Sequence, residues 1–102
     1  DNSVLDIKQL NLEPQEFALL ENYPNPFNPS TTIRFQVPFK SRVNISVFNI
    51  LGNHIETIID DVISPGLRST VWEPDNSDES GVYFIHLKSE KFSSTKKIMF
   101  IK

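Results

Sequence analysis

The chain contains no cysteine. Disulfides and thiolate metal sites are therefore excluded, and packing must supply the stability. Cationic excess is also missing: 10 Lys and Arg stand against 13 Asp and Glu, for a net charge of -3. That leaves no basic footprint for nucleic acid. No apolar run approaches membrane-spanning length, the terminal Ile98-Met99-Phe100-Ile101 being four residues. Histidine is scarce. His54 and His86 stand alone, without a partner at ligand spacing, so no metal or other cofactor is expected. No nucleophile elbow or comparable catalytic signature appears, so the chain does not read as an enzyme. The chain opens on Asp1 and shows no signal peptide, which reads as a fragment or a processed product.

What is present is a large stock of aromatics: eight Phe, two Tyr and one Trp in 102 residues. One domain of this size buries roughly 60–68% of its unfolded surface, enough for a modest core. The β-branched and aromatic residues come in short runs separated by Pro, Gly, Asn, Asp and Ser, the pattern of an all-β sandwich.

Proline and asparagine are concentrated in Tyr23-Pro24-Asn25-Pro26-Phe27-Asn28-Pro29. Each proline fixes its own φ, lacks an N–H and pushes its predecessor toward extended geometry. The stretch reads as a stiff extended lead-in, neither helix nor central strand. Two large side chains, Tyr23 and Phe27, lie within it, and Phe27 is expected to pin it to the core. The asparagines supply hydrogen bonds that proline cannot.

Residues 1–16 read as linker and 17–102 as the folded domain. Phe17 to Leu20 can form a short first strand. Ile33, Phe35 and Val37 alternate against Thr32, Arg34 and Gln36, and Val43, Ile45 and Val47 against Asn44 and Ser46. A turn over Asn49–Asn53 places positive φ at Gly52 or Asn53. The next strand spans His54 to Ile59, with Asp60 and Asp61 as its charged exit. After Ser64-Pro65-Gly66 comes a strand from Leu67 to Trp72. Gly81 opens a strand over Val82–Lys88, with Tyr83, Ile85 and Leu87 on one face. The last strand runs from Ser94 to Lys102. About seven strands and no long helix predict two antiparallel sheets packed about 10 Å apart.

The terminal strand departs from alternation. Lys96-Lys97-Ile98-Met99-Phe100-Ile101-Lys102 is apolar on both faces. Two readings stand open at this point. The strand is buried on both sides, for instance under the lead-in around Phe27. Alternatively, a face or edge is offered to another protein, with the lysines as solubilising gatekeepers.

Asp75, Asn76, Asp78 and Glu79 offer oxygen ligands for Ca²⁺, but their spacing departs from an EF-hand loop and Pro74 lies within the turn. A solvated turn is the expectation. The sequon Asn44-Ile45-Ser46 lies in a strand and reads as chance. Trp72, Phe48 and Phe84 point away from the core by alternation and suggest a carbohydrate-stacking face as an alternative function. A structural spacer in a secreted enzyme is a third.

The order of motifs resembles one family. Tyr23 to Ile33 (YPNPFNPSTTI) is similar to the opening motif of type A C-terminal sorting domains of the bacterial type IX secretion system, themselves similar to the Ig-like domain of flagellar hook-capping proteins. Val43 to Gly52, with its Leu51-Gly52 turn, Gly66 with Trp72, Ser80 to Phe84 (SGVYF) and the lysine-flanked end resemble the later blocks in the right order. The loop between Trp72 and Gly81 lacks a glycine that the family often carries. The resemblance spans roughly residues 20–102 and implies an Ig-like sandwich.

It further implies a non-catalytic signal that directs an N-terminal cargo domain through the outer-membrane translocon toward the cell surface. Folding in the periplasm comes first. A sortase-like peptidase then cuts before Leu20. By carry-over, Lys97, Ile98, Met99, Phe100, Ile101 and Lys102, with Gly81, Val82 and Tyr83, hold the recognition information. Pro24, Asn25, Pro26, Phe27, Asn28, Pro29, Gly52, Gly66 and Trp72 form the structural motif.

Overall fold

Alternating apolar runs close into a β-sandwich. The computed structural model describes residues 14–102. Its strands are β1 (Ala18–Leu19), β2 (Thr31–Val37), β3 (Ser41–Asn49), β4 (His54–Ile63), β5 (Gly66–Trp72), β6 (Gly81–Ser89) and β7 (Phe92–Phe100). They form a three-stranded sheet, β1-β2-β5, and a four-stranded sheet, β4-β3-β6-β7, with every pairing antiparallel. The fourth strand pairs with β3, whereas in the constant-type immunoglobulin fold it stays beside the fifth. The linker expected over residues 1–16 lies mostly outside the described residues.

Period-2 patterning decides the core. Ile33, Phe35 and Val37 of β2, Val43, Ile45 and Val47 of β3, and Tyr83, Ile85 and Leu87 of β6 are all buried. Each such side chain contributes about 1.5–3 kcal/mol by leaving water. Buried polar groups are satisfied: Ser41 Oγ donates to the Phe39 carbonyl at 2.6 Å and Ser89 Oγ to the Arg42 carbonyl at 2.7 Å. Among the described residues no buried side-chain polar atom lacks a partner.

Three elements differ from expectation. β4 does not end at Ile59; Asp60 and Asp61 lie inside it, opposite Asn44 and Val43. It is an edge strand, so its outward side chains can be charged without leaving the ladder. Its isoleucines also break strict alternation, and two register shifts accommodate them. Ile45 faces Ile59 while Ser46 faces Thr57, and Val47 faces Glu56 while Phe48 faces His54, leaving Ile58 and Ile55 as the extra residues of two bulges. Both pack partly buried against the core.

β7 begins two residues earlier than expected and ends at Phe100, so Ile101 and Lys102 lie beyond the strand. Finally, the proline stretch is a series of bends with isolated bridges at Tyr23 and Phe27, not an extended segment, and its three X–Pro bonds are cis.

Candidate functional site

Pairing with β6 gives β7 two unlike faces. Ile98 and Phe100 turn inward and are 1% and 6% exposed, while Met99 and Ile101 are 39% and 51% exposed. The run read as apolar on both faces thus has one buried face and one open face. Phe100 belongs to an aromatic cluster with Phe27, Trp72 and Tyr83. The centroid separations are 5.3 Å for Phe27–Phe100, 5.7 Å for Phe27–Trp72 and 5.5 Å for Trp72–Tyr83. The open face carries Lys97 and Met99, continued by Ile101 just beyond the strand. Val82 stands opposite Met99 and is only partly covered.

The edge of β7 is closed at its end by the lead-in. Asn25 Oδ1 accepts from the Met99 amide at 3.0 Å. The Phe27 amide donates to the Met99 carbonyl at 3.0 Å, and the Ile101 amide donates to the Phe27 carbonyl at 3.1 Å. Phe27 therefore makes a parallel bridge to Phe100. The lead-in is itself anchored to β2. Asn22 Nδ2 donates to Thr31 Oγ1 at 2.9 Å, Thr31 Oγ1 donates to the Pro24 carbonyl at 2.8 Å, and Tyr23 exchanges backbone bonds with Thr32.

Further back the same alignment continues. Lys96 Nζ lies 3.3 Å from Glu21, and the Phe17 ring stacks on Phe92 at 5.6 Å. The start of the domain thus runs alongside the terminal strand from one end to the other. By the two-residue period of antiparallel pairing, the amides of Thr95 and Lys97 face this same side.

The remaining residues singled out by sequence fall into two groups. Ile98, Phe100 and Tyr83 are in the core, and so are Phe27 and Trp72. Trp72 was expected to point outward, but it is 1% exposed and its Nε1–H donates to Glu56 Oε1 across the sandwich at 3.1 Å. Its strand pairs on β2 in a register that places Trp72 over Phe27, so it is the outward Leu67 and Val71 that meet solvent. Of the two lead-in aromatics only Phe27 is buried; Tyr23 is 77% exposed. Pro24, Asn25, Pro26, Asn28 and Pro29 are exposed and shape the bends.

Gly52 holds φ +83° in the β3–β4 turn, and Gly81 holds φ +148° where the acidic loop enters β6, both outside the range of ordinary side chains. Gly66 opens β5 opposite Val37.

The acidic loop satisfies itself. Asp78 Oδ2 accepts from the Asp75 amide at 2.8 Å and Asp75 Oδ1 from the Ser77 amide at 3.1 Å. Among the described residues no group of three or more His, Asp or Glu is placed to hold a metal. Lys102 ties the end of the chain to this loop, its amide donating to Ser80 Oγ at 2.7 Å and its Nζ to the Asn76 carbonyl at 2.6 Å. Tyr83 Oη donates to the Glu79 carbonyl at 2.6 Å, and burial pushes its phenol above 10.0, with the Asp78 charge adding to the rise. His54 and His86 each bond a threonine, Thr57 and Thr95, both at 2.8 Å.

Sequence reasoning missed the role of Asn25 as a backbone cap for Met99 and the clustering of Phe17, Phe39 and Phe92. Asparagine between prolines was the available signal for the first. No local pattern announces the second, because its rings come from three separate elements.

A model of the family described as secretion system C-terminal sorting domain matches residues 21–102. No curated protein and no solved structure matches the chain.

Proposed function

The chain belongs to the secretion system C-terminal sorting domains of type IX secretion, and from that membership we propose that the open face of its terminal strand is the surface the secretion machinery reads. The domain is a sorting signal that sends the protein carrying it across the outer membrane, to the cell surface or the medium. It acts by recognition, without catalysis.

One observation carries the reading. On and just beyond a strand whose inward residues are sealed in the core, Met99 and Ile101 stay 39% and 51% exposed beside Lys97. A large aliphatic pair flanked by cations suits a partner surface that is apolar at its centre and acidic at its rim. Strand addition at residues 99–101 would first have to displace Asn25 and Phe27, so docking uses the face. Gly81 and Val82 border it; Ile98, Phe100 and Tyr83 act from beneath, by holding β7 flat against β6.

Phe17 is already part of the folded unit, its ring held by Phe39 and Phe92 at 5.4 and 5.6 Å. A sortase-like peptidase that separates cargo from signal therefore cuts ahead of Phe17. Folding of the sandwich in the periplasm precedes docking, since the face exists only once β6 and β7 have paired.

Deleting Lys97–Lys102 is a poor test, because it also removes Ile98 and Phe100 from the core. Surface substitutions are cleaner. Met99→Glu with Ile101→Glu should leave the fold intact and hold a cargo fusion in the periplasm. Normal surface delivery of that fusion would remove the reading.

A further inference from the structure

We propose that the outer face of the four-stranded sheet is a binding site for a neutral oligosaccharide. It adjoins the proposed sorting face, the two meeting at Lys97 of β7, and rests on residues that face does not use: Phe48, Phe84, His86 and Thr95.

Two adjacent cross-strand rows define the site. The first runs His54–Phe48–Phe84–Lys97 and the second Thr57–Ser46–His86–Thr95, in register across β4, β3, β6 and β7. The alternating neighbours Val47, Ile45, Ile85 and Ile98 are buried in the core, so both rows look outward. Phe48 and Phe84 are half-buried there and are covered by no element of the described chain.

The first row is aromatic at its centre. Phe48 is gripped edge-on by His54 and His86, with centroids at 5.5 and 6.4 Å and interplanar angles of 80° and 78°. That fixes the ring before any ligand arrives. The second row is a chain of uncharged hydrogen-bonding groups. His86 Nδ1 meets Thr95 Oγ1 at 2.8 Å, and Ser46 Oγ meets Thr57 Oγ1 at 3.2 Å. Ser46 is buried and also donates to Asn44 Oδ1 at 2.8 Å, so the groups left to a ligand are His86 Nε2 and the exposed hydroxyls of Thr57 and Thr95.

An aromatic row beside a neutral polar row matches one ligand class closely. A pyranose ring offers an apolar face of C–H groups and a rim of hydroxyls that both donate and accept. The C–H face suits the electron-rich face of phenylalanine, and the hydroxyls suit imidazole and threonine. A cleft of about 360 Å³ opens here, lined by Phe48, Phe84, His86, Thr95, Ile50 and Gly52, none of them charged. Its size falls within the range of small-molecule sites. Gly52 leaves its end open, since no atom lies within 4 Å of where a Cβ would sit. The cleft lining itself holds no charge, the one cation of the two rows being Lys97 at the β7 end of the first, so the contacts offered within the cleft are those a neutral sugar uses.

The test is a titration of the isotope-labelled chain with cellohexaose, laminarihexaose, xylohexaose and chitohexaose, followed by NMR. The expected result is saturable shifts at Phe48, Phe84, His86 and Thr95 with at least one of them. Phe84→Ala and Thr95→Val should each weaken that binding, the former about tenfold or more. Thr95→Val keeps shape and so remains informative if Phe84→Ala disturbs the sheet. Tyr23→Ala, on the other sheet, should bind normally. The proposal is overturned if none of the four probes gives saturable shifts, if the shifts map elsewhere, or if a correctly folded Thr95→Val and Phe84→Ala bind as well as the unsubstituted chain.

Discussion

Phe27 and Phe100 are bridged in parallel across the edge of the four-stranded sheet, and their rings lie 5.3 Å apart. The buried aromatic of the proline stretch is thereby the neighbour of the residue that closes the terminal strand. Phe27 fills the core from above while its backbone takes up the Met99 carbonyl and the Ile101 amide. At residues 99–101, an edge that would otherwise be open to a foreign strand is sealed from within the chain.

Phe27→Ala should therefore destabilise the domain by about 3–5 kcal/mol, as for other fully buried aromatics. Tyr23→Ala, three-quarters exposed, should cost under about 0.5 kcal/mol. Urea denaturation of the two variants measures the difference. Near-equal losses would contradict the assignment of Phe27 as the anchor.

Asn25→Ala removes the acceptor of the Met99 amide at the surface. A loss of about 0.5–1.5 kcal/mol is expected, the net value of one such bond. Hydrogen exchange should speed up at Met99 and leave the Phe35 amide, in the middle of β2, as slow as before.

Trp72 is the one tryptophan in the chain and is sealed between Phe27 and Tyr83. Its fluorescence should be blue-shifted in the native state and move to the red on unfolding. Trp72→Ala should cost about 3–5 kcal/mol, and polysaccharides should leave the emission of the native chain unchanged at that residue.

Tyr83 sets a pH dependence. Burial first, and the Asp78 charge second, raise its phenol above the unfolded value of 10.0. Above 10.0 the unfolded chain sheds this proton while the native chain still holds it, so stability falls as pH rises toward the higher native value and is fully present below 10.0. Denaturation midpoints measured through that window should decline, and Tyr83→Phe should flatten the decline.

Much of this was legible in the sequence. Alternation placed the core residues of β2, β3 and β6 on the correct face, because a strand buried on one side leaves no other register. Gly52 was named as a candidate for positive φ, and the match over residues 21–102 bears out the resemblance. The failures have a common cause. Trp72, Asp60 and Asp61 and the two faces of β7 depend on which strand lies beside which and on what covers an edge. Trp72 looked outward because Leu67, Ser69 and Val71 formed the other candidate face, and local pattern could not tell which of the two the opposite sheet would cover. The split of Ile98 and Phe100 from Met99 and Ile101 likewise required knowing that β7 has a partner sheet on one side only. The region proposed for recognition was named from resemblance alone, and which of its residues are exposed and which are buried came only with the fold.

The most direct measurement is surface delivery of a cargo fused to this domain, compared between the parent and Lys97→Glu/Met99→Glu. Both substituted residues are exposed, so denaturation should show an unchanged fold, within about 0.5 kcal/mol. The parent fusion should reach the cell exterior while the variant stays inside the outer membrane. Delivery of the variant at the parental level, with its fold intact, would contradict the assignment of this face as the sorting surface.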